Sequence, residues 1–118
     1  GPAPRTLIDP IPSDDLRQAI LALLHGWAAP LLENPAEINS RGYQSYTVLS
    51  LCRILYTLHH GDVASKPVAA KWVQETLDER WTPLIDRAWV GRQNPGLKAQ
   101  ADDVNETLEF IRYTLGAR

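Results

Sequence analysis

At 118 residues the chain is about the size of one ordinary domain, large enough to close a single hydrophobic core and too small for two. Apolar residues make up 44% and charged residues 22%, with a formal charge of -2, which describes a soluble globular protein and excludes the disordered and collagen-like classes. The longest apolar stretches, such as Ala19 to Leu24, fall far short of the roughly 20 residues a membrane span needs. A pI near 5.9 with no run of Lys and Arg argues against nucleic acid as a partner. One cysteine, Cys52, precludes an internal disulfide and a thiolate-rich zinc site, so a reducing, cytoplasmic setting is expected. No secretory signal opens the chain, and it contains no Met, which suggests a domain excised from something larger.

Four of the nine prolines (Pro2, Pro4, Pro10, Pro12) fall in residues 1–12, which read as an extended strap ahead of a helical domain over residues 13–118. Ser13 stands as an N-cap before Asp14 and Asp15. Leu16, Ile20, Leu23, Leu24 and Trp27 then follow one helical face until Pro30 ends or kinks the helix. Residues 33–42 are polar and turn-rich, a loop by composition. A second helix is expected from about Tyr43 to His60, with Gly61 at the C′ position that accepts a left-handed backbone. Its apolar residues go nearly all the way round, so it should be the central helix. A third helix starts after Ser65, and a fourth holds Trp81, Leu84, Ile85, Ala88 and Trp89, with Thr82 and Pro83 as its cap and first turn. Gly91 to Gly96 is a break, and a last helix carries Ala101, Val104, Leu108, Ile111 and Leu115. With no alternating strand pattern and no internal repeat, the expected fold is an all-α bundle of about five helices behind a Pro-rich N-terminal strap.

Within the second helix, Tyr46, Ser50, Arg53, Thr57 and His60 follow steps of 4, 3, 4 and 3, so they form one polar stripe on an otherwise apolar rod. A guanidinium in that stripe needs either an internal carboxylate, such as Asp86 or Glu109, or an anionic ligand that its fork can grip. Ser65 as N-cap places Lys66 in the first turn of the third helix, beside free backbone N–H groups that favour an anion. The turn from Gly61 to Ser65 folds the third helix back beside the second, so Arg53 and Lys66 are able to converge on one phosphate chain. His59 and His60 point about 100° apart on a helix, which disfavours a metal site there. The acidic pairs Asp14–Asp15 and Asp102–Asp103 read as helix-start residues, and Trp27, Trp72, Trp81 and Trp89 as core. No catalytic apparatus is complete within the chain.

The strap G-P-A-P-R-T-L-I-D-P-I-P-S-D-D-L, the helix V-L-S-L-C-R-I-L-Y, and S-K-P-V-A-A-K-W followed by R-W-T-P-L-I resemble the C-terminal helical domain of aminoglycoside 3″-adenylyltransferases. The resemblance covers nearly the whole chain. It implies a separate N-terminal nucleotidyltransferase domain that carries the Mg2+-binding carboxylates and the general base, with ATP and a small-molecule acceptor bound between the two. It also implies that Arg53 and Lys66 hold the ATP phosphates and that Trp89 is the aromatic near the nucleotide. The acceptor is expected at the segment before and into the central helix, through Glu33, Glu37, Tyr43 and Tyr46. Tyr43 stands where the drug-modifying members have an acid, and the same segment contains Arg41.

Two other readings stay open at the level of sequence. Arg53 and His59 make an R-x-x-x-x-x-H pattern that resembles helical RNases of the HEPN type. A helical module whose groove binds a partner chain is the other.

Overall fold

A computed structural model describes residues 12–116. The centre of the molecule is α2 (Arg41–His60), with ten buried residues that include Val48, Leu49, Leu51, Cys52, Ile54 and Leu55. Around it lie α1 (Ser13–Leu23), α3 (Lys66–Thr76), α4 (Thr82–Arg92) and α5 (Ala101–Gly116), joined by short 3-10 and π turns. Among the described residues there is no strand, only an isolated antiparallel bridge between Ser40 and Lys98. The fold is all-α. The expected strap, except for Pro12, lies outside the described residues.

Both ends of α2 follow from local chemistry. At its C-terminus Gly61 takes φ 71°, a left-handed conformation open to glycine at little cost, and its N–H reaches Thr57 O at 2.8 Å. At its N-terminus Ser40 Oγ accepts from Tyr43 N at 3.1 Å. The helix begins at Arg41, two residues before the expected start at Tyr43. Arg41 N–H and Gly42 N–H donate to Leu97 O (2.7 Å) and Pro95 O (3.0 Å), so a distant loop satisfies donors that a first turn otherwise leaves free. The expected loop over residues 33–42 accordingly shrinks, and Pro35–Glu37 within it forms a 3-10 turn.

Other boundaries also differ from expectation. Ser13 is the first residue of α1 and makes no cap; Pro12 precedes the helix, and its carbonyl accepts from Leu16 N at 3.0 Å. Beyond Leu23 the chain continues through a π turn (Leu24–Ala28) and a 3-10 turn (Ala29–Leu32), with no clean stop at Pro30. The wider π turn shifts the helical register, so Leu24 and Ala28 are buried while Leu23 stays 50% exposed. Trp81 precedes α4, in a 3-10 turn (Glu79–Trp81) capped by Asp78. Thr82 is therefore already helical and makes no cap. The fourth helix passes through Gly91, where a break was expected, because that glycine is packed directly against α2.

Asp103 does more than suit a helix start. Its carboxylate is buried and bridges Arg87 Nε (2.6 Å) and Arg41 Nη1 (3.4 Å), while Arg87 Nη2 also reaches Glu106 at 2.7 Å. Burial works against the Arg87 cation, but Glu106 and Asp103 together hold it more firmly protonated than usual. This network ties α2, α4 and α5 together. Beneath it, Trp81 packs on Phe110 with ring centroids 4.8 Å apart. Cys52 is fully buried in the same core, where desolvation pushes its thiol up to about 12, so it packs as a neutral group.

Candidate functional site

Four of the five polar-stripe residues of α2 (Tyr46, Ser50, Arg53 and Thr57) open into one surface cavity of about 270 Å³. Lys66, from the first turn of α3, lines the same cavity, as do Trp27 and Ile20 from the first helical stretch. Three features place Lys66 there: Gly61 turns the chain, Ser65 caps α3 by accepting from Val68 N, and α3 runs back along α2. His60, the fifth stripe residue, instead stacks on Tyr56 with centroids 3.8 Å apart and meets Tyr56 O through Nδ1 at 3.0 Å.

Arg53 is exposed and its Nε donates to Ala64 O at 2.9 Å. The two carboxylates considered as its internal partners are engaged elsewhere: Asp86 accepts from Gln74 at 2.9 Å, and Glu109 pairs with Arg112 at 2.7 Å. The Lys66 ammonium lies 5.2 Å from the centroid of the Tyr46 ring. Among the described residues, no Asp or Glu lines the cavity. Partial burial, then the neighbouring charges of Arg92 and Arg53, lower the Lys66 pKa from its ordinary value. Like charges held together in this way favour the approach of an anion.

The rim on one side is aromatic. Trp27 Nε1 donates to Tyr43 Oη at 3.1 Å, Tyr43 stacks on Tyr46 with centroids 5.9 Å apart, and Trp27 meets Tyr46 edge-on at 5.8 Å. Tyr46 remains 48% exposed. Glu33 and Glu37 are exposed on the segment ahead of α2 and are not part of the cavity wall. Trp89 is half-buried against the core, outside the cavity wall, with the Arg92 guanidinium 5.1 Å from its ring centroid. The Arg53 and His59 pair of the RNase pattern is not brought together. Six residues along a helix turn the side chain about 120°, and His59 sits 5.1 Å from Trp72, away from the cavity wall.

Sequence reasoning missed Trp27 and Arg92. Trp27 lies on an apolar face and so reads as core, and only its indole N–H marks it as a residue that seeks a polar partner. Arg92 stands three residues after Trp89, a spacing that places a cation over a ring on one helix face.

An all-α domain that presents paired cations and an aromatic rim around one open cavity is suited to holding a small anionic ligand against a second surface. The sequence model for the aminoglycoside adenylyltransferase C-terminal domain matches residues 6–116, and the chain belongs to that family. An aminoglycoside (3'') (9) adenylyltransferase from Escherichia coli is 32% identical over 115 residues, covering 95% of this chain and 41% of the relative. One from Rhizobium radiobacter is 30% identical over 115 residues, covering 95% of this chain and 40% of the relative. A spectinomycin 9-adenylyltransferase from Campylobacter jejuni is 32% identical over 88 residues, 75% of this chain and 31% of the relative. The chain thus spans about two-fifths of the length of the first of these relatives. No solved structure gives a significant match.

Proposed function

We propose that this chain is the helical nucleotide- and acceptor-binding domain of an adenylyltransferase that moves AMP from ATP to a hydroxyl of an aminoglycoside-type acceptor. The observation that carries the reading is the convergence of Arg53 and Lys66 on one cavity that, among the described residues, is lined by no carboxylate. Two cations of this kind fit the phosphate chain of ATP. Nucleotidyl transfer attacks the α-phosphorus and expels pyrophosphate, so fixed positive charge on the leaving-group side lowers the barrier. Arg53 contributes a planar fork that is charged at every working pH, and Lys66 a point charge at the start of α3.

Mg2+ and the general base belong, on this reading, to an N-terminal nucleotidyltransferase domain. Among the described residues no group of three or more His, Cys, Asp or Glu is placed to hold a metal ion. Leu23, Tyr46 and Val63, exposed by 50, 48 and 60%, frame the cations and offer the apolar contact that such a domain would cover. Alone, the chain binds ATP weakly and transfers nothing.

The acceptor is assigned to the aromatic rim. Tyr43 accepts from Trp27 with its hydroxyl oxygen, which leaves its own proton free to donate to an acceptor hydroxyl. Tyr46 offers an exposed ring face against which a sugar ring packs. Glu33 and Glu37 are the nearby acids in sequence that would meet positive charges on the acceptor, from outside the cavity.

The test is adenylyl transfer by the protein joined to a nucleotidyltransferase half. Arg53→Ala is expected to lower turnover by about 100-fold, the scale of losing one preorganised charge contact. Unchanged turnover would sink the phosphate role.

A further inference from the structure

We infer that Arg92, at the end of α4, is a third cation of the phosphate site, making it a groove for a polyphosphate of three or more units; this rests on the nucleotide reading given above. The placement begins with Gly91. A Cβ there would fall against Ser45 Oγ and lie 3.2 Å from the Arg41 carbonyl, so the last turn of α4 touches α2 at residues 41–45. The same crossing is held by Arg41 Nη2, which donates to Arg87 O at 3.4 Å. The next residue on each helix is Arg92 on α4 and Tyr46 on α2, and the Tyr46 ring is where the Lys66 ammonium rests. Arg92 thus lies outside the cavity wall itself, one residue beyond the α4 contact with α2 and within the electrostatic reach of Lys66.

The side chain is exposed and is steered by Trp89, whose ring centroid lies 5.1 Å from the guanidinium carbon. It has no ion pair among the described residues, whereas Arg87, one turn earlier on the same helix, has two. The electrostatics agree: after burial, Arg92 is the largest influence lowering the Lys66 pKa, ahead of Arg53. Two like charges lie in Coulombic reach of Lys66, and an anion of a single charge would satisfy only part of that field. A chain of phosphates has the length and charge to meet all three. Trp89, on this view, orients Arg92 and is a positioning residue, in place of a direct stack on the nucleobase.

A simpler role for Arg92 is to offset the negative end of the α4 dipole, which any exposed cation at a helix C-terminus does. The two roles separate in a binding experiment. Inorganic phosphate, pyrophosphate and tripolyphosphate are titrated into the full chain and into Arg53→Ala, Lys66→Ala, Arg92→Ala, Arg92→Lys and Arg112→Ala, with folding checked by thermal denaturation. Arg92→Ala is expected to lose about tenfold for tripolyphosphate, the value of one charge-assisted contact, and far less for phosphate. Arg92→Lys should recover part of the loss, and Arg112→Ala, whose arginine pairs with Glu109, should bind like the parent. In the ligand-free protein, Arg92→Ala should also raise the Lys66 pKa, read by NMR of the lysine ammonium.

Normal tripolyphosphate affinity in Arg92→Ala, with Arg53→Ala and Lys66→Ala impaired, overturns the role of Arg92 and leaves the nucleotide reading standing. Equal affinity in every variant overturns both. A loss of thermal stability alone in Arg92→Ala assigns the residue to the helix dipole and also overturns the inference.

Discussion

Lys66 shows how a single side chain is set for a ligand. Its ammonium has partial burial and two arginines against it, and the face of the Tyr46 ring in favour. These forces lower its pKa from the ordinary 10.5, so part of its charge is lost at a pH where an exposed lysine keeps all of it. Phosphate favours the protonated form, so bound ligand must raise that pKa again. The sign follows directly: ATP affinity falls as pH rises through the Lys66 pKa of the free protein, and that pKa lies below 10.5. Calorimetric ATP titrations across this range check it. Lys66→Arg should remove the decline, because guanidinium does not deprotonate there, and an equal decline in that variant would assign the pH effect elsewhere.

At the scale of elements, the crossing of α4 over α2 is what gathers the cations, and Gly91 permits it. Gly91→Ala gains up to about 1 kcal/mol of helix propensity, but its methyl group meets buried Ser45 and the Arg41 carbonyl. Overpacking of this kind costs about 1–3 kcal/mol, so the variant should be less stable by about 1 kcal/mol in urea denaturation. Adding Ser45→Ala removes the nearest atom, an Oγ with no hydrogen-bond partner among the described residues, and should recover part of the loss. A Gly91→Ala chain more stable than the parent would show that α4 has slack against α2.

The same crossing marks the boundary of what the sequence made legible. Periodicity located the five helices, with the expected caps present at Gly61 and Ser65 but not at Ser13 or Thr82, and the steps of the stripe in α2 anticipated that Tyr46, Ser50, Arg53 and Thr57 share a face. Ser65 and Gly61 made the return of α3 readable, and with it the approach of Lys66 to Arg53. What stayed hidden depends on contacts between distant segments. The α2 start at Arg41 is set by carbonyls of Leu97 and Pro95, and the burial of Asp103 by two arginines 62 and 16 residues away. Trp27 and Arg92 join the site region only once the π turn and the Gly91 contact fix their helices.

For the whole molecule, the division of labour follows from charge. The chain is slightly acidic, yet one face gathers Arg53 and Lys66 around a cavity that no carboxylate lines among the described residues, with Lys66 in the field of Arg92. Several of its acids are committed elsewhere: Asp103 and Glu106 clamp Arg87, while Glu109 pairs with Arg112. On the proposed reading, a domain so arranged supplies positive charge and an aromatic ledge to the transfer reaction. The central claim is that the Arg53 and Lys66 cavity takes the phosphates of ATP. The most direct measurement is an NMR titration of the chain with ATP and, separately, with adenosine. The account predicts shifts around Ser50, Arg53, Thr57 and Lys66 with ATP, weakened by added salt, and little response there to adenosine. Equal shifts with adenosine, or ATP shifts confined to another face of the bundle, would contradict it.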